Sequence, residues 1–152
     1  MGSDNLRGGR LAGEYFRDRG RRRWLFLGDI RHEELRLRYE GLCEAAASVD
    51  DGVTVGVLPV ESMAFSATAQ TVSTFLSEGR APDALFAFSD TAAMAAIGAF
   101  AEHGLVAPRD YSLVGYNNIP PAAHFTPALT TITQQTDVAG ALLVEKLMQQ
   151  ID

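Results

Sequence analysis

The stretch PDALFAFSDTAAMAAIGAFAEHGLVAPRDYSLVGYNNI occupies residues 82–119. Within it Leu85–Phe88 is apolar at every position, the pattern of a short strand buried on both faces. Asp90 is placed to cap a helix, residues 91–103 are Ala-rich, and Gly104 supplies a helix stop. A second apolar run, Leu113–Tyr116, comes next. Strand, helix and strand in this order make a βαβ unit, whose crossover helix requires the two strands to be parallel.

The same alternation extends in both directions. Upstream lie the apolar runs Trp24–Leu27 and Val53–Leu58; downstream, Leu129–Thr133 mixes apolar residues with Thr. Between them the spacing predicts helices over 33–48 (Leu35, Tyr39, Leu42, Ala46) and 66–78 (Ala69, Val72, Phe75, Leu76). A first helix over about 6–19 comes after Asp4-Asn5 and stops at Gly20. It carries Leu11, Tyr15 and Phe16, apolar residues expected to pack on the terminal helix or on a second copy of the chain. A last helix is expected over 137–151, with Ala141, Val144, Met148 and Ile151 on one stripe. The fold class is therefore α/β, a doubly wound parallel sheet.

Such sheets hold ligands beyond the carboxyl ends of their strands. Here those ends read Gly28-Asp29, Ser62-Met63, Ser89-Asp90 and Tyr116-Asn117-Asn118. Neutral hydrogen-bonding groups with few charges suit a small polyhydroxylated molecule. The same residue types also serve as helix caps and turn formers, so both readings stand for Asp90, Asn117 and Asn118.

Composition narrows the function classes. The 152 residues are one domain's length, and 47% apolar with 21% charged residues is the balance of a folded chain. The formal net charge of −6 gives no footprint for nucleic acid. Arg17, Arg19, Arg21, Arg22 and Arg23 form one basic stretch, read as a solvated helix end and strand entry. The single cysteine, Cys43, allows no intrachain disulfide. With no apolar run approaching a membrane span and no apolar leader at the start, the expected location is cytoplasmic.

Catalytic signatures are missing. The sequence has no phosphate-binding GxxxxGK[ST] loop, no GxGxxG fingerprint and no GxSxG elbow. His32, His103 and His124 are scattered, so no metal and no cofactor are expected. A phosphoacceptor domain would need paired acids after its first strand and a Lys after its last. Asp29 stands alone, and Lys146 falls in the terminal segment.

The run 82–119, with PALTTITQ after it at 127–134, resembles the central signature of the lactose-repressor/galactose-repressor (LacI/GalR) family of transcription regulators. SDNLRGGRLAGEYFRDRGRRRWLFLGD at 3–29 resembles that family's Asp-Asn, Gly-Gly and strand-entry pattern, with Arg21 where His is usual. LRLRYEGL at 35–42 resembles its Arg-x-x-Gly-aromatic helix, with Leu42 in the aromatic place. The likeness covers about residues 3–150. It implies the periplasmic-binding-protein-like fold and a two-lobed domain that senses a small effector, with no enzymatic activity. It also implies a division into residues 1–20 as a remnant of the N-terminal lobe, 21–133 as the C-terminal lobe, and 134–152 as a helix returning to the N-terminal lobe. A solute-binding protein of a sugar transporter shares the fold and is the alternative.

The resemblance also implies site residues. Arg38 falls on the family's effector-contacting Arg, whose planar fork of donors suits adjacent hydroxyls or a carboxylate. Ser89 stands where many members place an Asn on the ligand, and Asn117 where sugar-binding members place an Asp. Arg7 matches a site on the facing lobe; with Arg38 it would make the cleft cationic and suit a sugar acid or sugar phosphate, or else it is a solvent-facing helix-start residue. Met63 and Phe65 lie where an aromatic platform under a sugar ring is common, with core packing the simpler reading for Phe65. Thr136 and Gln134 lie near the lobe crossover. The expected partners are a small-molecule effector and a second copy of the chain in a homodimer. DNA would be reached only through a headpiece outside these residues, and no membrane is expected.

Overall fold

The computed structural model describes residues 2–48, 52–62, 64–117, 130–134 and 141–145. Its elements, in order, are α1 (Gly2–Asp18), β1 (Arg23–Leu27), α2 (Glu33–Ala47), β2 (Thr54–Leu58) and α3 (Phe65–Ser77). Next come β3 (Ala84–Ala87), α4 (Asp90–Glu102), β4 (Ser112–Asn117), β5 (Thr130–Gln134) and β6 (Ala141–Glu145). One sheet contains all six strands in the order β2-β1-β3-β4-β5-β6. The first five are parallel neighbours, with Trp24 level with Val55 on one side and Ala84 on the other; β6 runs antiparallel to β5.

The chain steps from β1 outward to β2, then returns to place β3 on the other side of β1. Right-handed crossovers put helices made in opposite directions on opposite faces. Accordingly α1 packs with α2, and α3 with α4. The strands between are apolar because both faces are covered: β3 is buried at every residue, and β1 at all but its first. Phe26 and Phe86, neighbours in the sheet, meet edge to face at 5.4 Å. Edge strand β2 is only half buried.

Three local expectations are corrected. Residues 141–145 are a strand, not part of a helix over 137–151. Ala-Leu-Leu-Val is a short apolar run, which periodicity alone cannot separate from a helical stripe. The free edge of β5 offers it backbone hydrogen-bonding partners, which an isolated helix would not use. Second, α1 does not leave its apolar side bare: Ala12 and Phe16 are fully buried and Tyr15 nearly so, in the same core as the sheet. Tyr15 also shares a hydrogen bond of 2.8 Å with Thr130 of β5. Third, the cap of α4 is Ser89, whose hydroxyl accepts from the Ala92 amide at 3.0 Å. Asp90 is already helical, and its carboxylate accepts a hydrogen bond from the Thr131 hydroxyl at 2.6 Å.

Among the described residues no helix is long and apolar enough to cross a membrane, and no group of three His, Cys, Asp or Glu is placed to hold a metal.

Candidate ligand cleft

Because β2 and β3 leave β1 on opposite sides, the loops after β1 and β3 diverge, and a crevice opens between them. At this switch point lies a cleft of 520 Å³. One wall is the start of α2, with His32, Glu33, Glu34 and Leu35. The other is the end of β3 and the start of α4, with Phe88, Ser89 and Thr91. Arg38 lies at its floor.

Arg38 is 2% exposed, an unusual state for a charged side chain. Its guanidinium is fixed from several sides. Nε donates to Asn5 Oδ1 at 2.9 Å, Nη1 donates to the Phe88 carbonyl at 2.9 Å, and its carbon lies 3.6 Å from the centre of the Tyr116 ring. Burial pushes the Arg38 pKa down, opposed by Tyr116 and Glu34. A guanidinium nonetheless stays charged at any physiological pH. The cation is thus tied to three parts of the fold: α1 through Asn5, the end of β3 through Phe88, and β4 through Tyr116.

The close approach of α1 and α2 makes this geometry possible. A Cβ on Gly9 would collide with the Arg38 carbonyl oxygen, and one on Gly41 with the Leu6 carbonyl oxygen. A Cβ on Gly8 would stand 2.9 Å from the Tyr116 ring. The paired glycines at 8 and 9 therefore serve two different neighbours, one on the sheet and one on α2.

Charge beside the cleft is mixed. At the end of β1, the Arg31 guanidinium pairs with Asp29 at 2.8 Å and holds that carboxyl down at about 2. Asp90, behind Ser89, is shifted the other way, its pKa raised by burial and partly offset by the Thr131 hydrogen bond. A Cβ on Gly115 would collide with the Asp90 carboxylate, so β4 carries a glycine where α4 begins.

The structure brings Arg38 and Ser89 into one cleft. Asn117 ends β4 level with Thr133, at the same carboxyl edge of the sheet; its side chain lies outside the described residues, as do Met63 and Thr136. Gln134 is the last residue of β5. Arg7 is exposed on α1 and is not among the residues lining this cleft. Phe65 is 52% exposed, so core packing is not its role. It sits instead on a groove between α3 and α4. Sequence reasoning misses Asn5 and Thr91, and gives Tyr116 only as part of a strand end without its contact with Arg38. For Asn5 the available signal is its place one turn before Gly9, on the stripe that meets α2. A larger groove of 600 Å³ runs along α3 beside edge strand β2. It lies at the rim of the sheet, away from the switch point.

A doubly wound sheet with an open cleft over its switch point defines a class: an α/β domain that holds a small ligand beyond its strand ends. The chain belongs to the periplasmic binding protein-like domain family, which it matches over residues 14–152. It is 34% identical to the HTH-type transcriptional repressor PurR of Edwardsiella ictaluri over 95% of this chain and 42% of that protein. It is also similar to a LacI family transcriptional regulator of Enterococcus faecium solved with bound ribose. That likeness has a TM-score of 0.73 and 28% identity, and covers 86% of this chain and 48% of that one. The lac repressor dimer bound to operator shares the fold at a TM-score of 0.76 and 23% identity, covering 95% of this chain and 59% of that one. The chain spans less than half the length of the PurR relative it matches.

Proposed function

We propose that the cleft at the switch point is one half of an effector site. A small polar ligand, sugar-like and uncharged, is held there between this lobe and a second one. The observation that carries this reading is the buried Arg38 cation at the floor of an open cleft, with Ser89 and Thr91 at its side. Glu33 and Glu34 on the facing wall favour a ligand that donates hydrogen bonds over a sugar acid or phosphate, and Arg7 does not line the cleft to add a second cation. Ribose in the Enterococcus faecium relative supports a sugar-sized ligand.

In this reading residues 21–133 form the C-terminal lobe, with α1 packed on it. The ligand acts by unequal affinity for two arrangements of the lobes, and the bias is passed to DNA-reading headpieces in a cytoplasmic homodimer. The PurR relative, named an HTH-type repressor, supports the link to DNA. Calorimetric titration of the full-length protein with ribose and related polyols tests the site. Arg38→Ala should weaken effector binding by about 10- to 100-fold, the scale of a charged hydrogen bond. Unchanged affinity would remove Arg38 from the site.

A further inference from the structure

We propose that Asn5 is a positioning residue for the ligand cleft, setting the Arg38 guanidinium from α1 before any ligand arrives. This rests on the reading of the cleft as the effector site. Asn5 is 3% exposed, and its side-chain oxygen accepts from Arg38 Nε at 2.9 Å. Gly9, one turn further along α1, allows the backbone of Arg38 itself to touch α1. A single helix therefore holds both ends of the arginine: its main chain against Gly9, and its Nε on Asn5.

The remaining constraints fix the plane. With Nε on Asn5 and Nη1 on the Phe88 carbonyl, the guanidinium is held by hydrogen bonds at two of its nitrogens, and its carbon rests 3.6 Å from the Tyr116 ring centre. A long side chain ordered in advance does not lose its rotamer freedom at the moment of binding. Residue type matters as much as place. Asn offers a neutral acceptor, which orients the cation without cancelling its charge. Asp in the same place would orient Arg38 equally well but neutralise it.

The test uses this chain and the Nε–H resonance of Arg38, assigned by its loss in Arg38→Lys. In the native chain that proton should exchange slowly and be shifted by the Tyr116 ring. Asn5→Ala should speed its exchange by about tenfold or more, the loss of one buried hydrogen bond. Asn5→Asp should restore slow exchange. The amides of Gly13 and Leu42, at the crossing of α1 and α2, should keep their protection in both variants. Unchanged Arg38 exchange in Asn5→Ala would overturn the proposal. So would equal loss at Gly13 and Leu42, which marks general loosening, or a failure of Asn5→Asp to restore protection.

Millimolar ribose serves as the probe of function. It should shift the Ser89 and Thr91 amides, and more weakly in Asn5→Ala than in the native chain. These ribose arms are run in the full-length protein, which supplies both lobes; if ribose shifts neither amide there, the sugar-site reading fails, while the exchange measurement still decides what Asn5 does.

Discussion

Asp90 shows how one residue can join the cleft to the body of the sheet. It comes directly after Ser89, which caps α4 and borders the ligand cleft, and it reaches back to Thr131 in β5. A Cβ on Gly115 would force the Asp90 carboxylate to move. Burial raises its pKa from the usual 3.8, so between 3.8 and that raised value the native state binds more proton than the unfolded chain. Stability must fall as pH rises through that window, and the full penalty applies above it. Asn at this position keeps an oxygen for the Thr131 hydroxyl and cannot ionise. Asp90→Asn should therefore gain on the native chain as pH rises from 3.8, measured as the difference in urea midpoint. A difference that stays flat with pH would mean that Asp90 ionises in the folded chain as freely as in the unfolded one.

Helix packing places Arg38, and the α1–α2 crossing is the element on which the cleft depends. Gly9→Ala would drive a methyl group into the carbonyl oxygen of Arg38 and to 2.8 Å from the Leu42 amide. Backbone cannot step aside as a side chain can. The strain should cost about 1–3 kcal/mol or more, against about 1 kcal/mol returned by better helix propensity. Net destabilisation in urea unfolding, together with faster exchange at Arg38 Nε–H, is the expected result; a more stable variant would show that the helices are not in contact there. These glycines also show what can be read from the sequence. The apolar runs mark β1 to β4 to within one residue at either end, most simply at β3, which is buried at every position and has no polar residue to confuse the pattern. Arg38 and Ser89 come from motif resemblance, and their cleft from the order of strands. Asn5 stays hidden because an Asn near a helix start reads first as a cap, and only the crossing shows that it faces Arg38. The segment 141–145 misleads because its residues satisfy a helical stripe as well as a strand. Backbone contacts between Thr131 and Val144, which are level in the sheet, should appear in nuclear Overhauser spectra. Helical carbon shifts over 141–145 would overturn the strand.

At the scale of the whole molecule, the question is which surface a second copy would cover. The first helix is not available, since Ala12, Tyr15 and Phe16 are already committed to the chain's own core. The exposed large apolar side chains among the described residues are Phe65 at 52%, Met94 at 37% and Val106 at 50%. Phe65 lines a groove whose other side includes Ala95, Gly98 and Ala99 of α4. Met94 stands one turn before Gly98 on that helix. Small residues in the groove leave room for a bulky one, and Phe65 at its rim is bulky. A twofold axis beside α4 would let Phe65 or Met94 of each copy enter the groove of the other, a self-complementary contact of the kind that closes a dimer. A stable interface of this sort covers roughly 800 Å² on each partner. Sedimentation at low micromolar concentration should then show a dimer. Phe65→Glu and Met94→Glu should each shift it toward monomer. Their circular dichroism should match that of the native chain, because both side chains already meet water in the single copy. A native chain that sediments as a monomer would remove this face from the assembly, and dimers that survive both substitutions would place the contact elsewhere on the molecule.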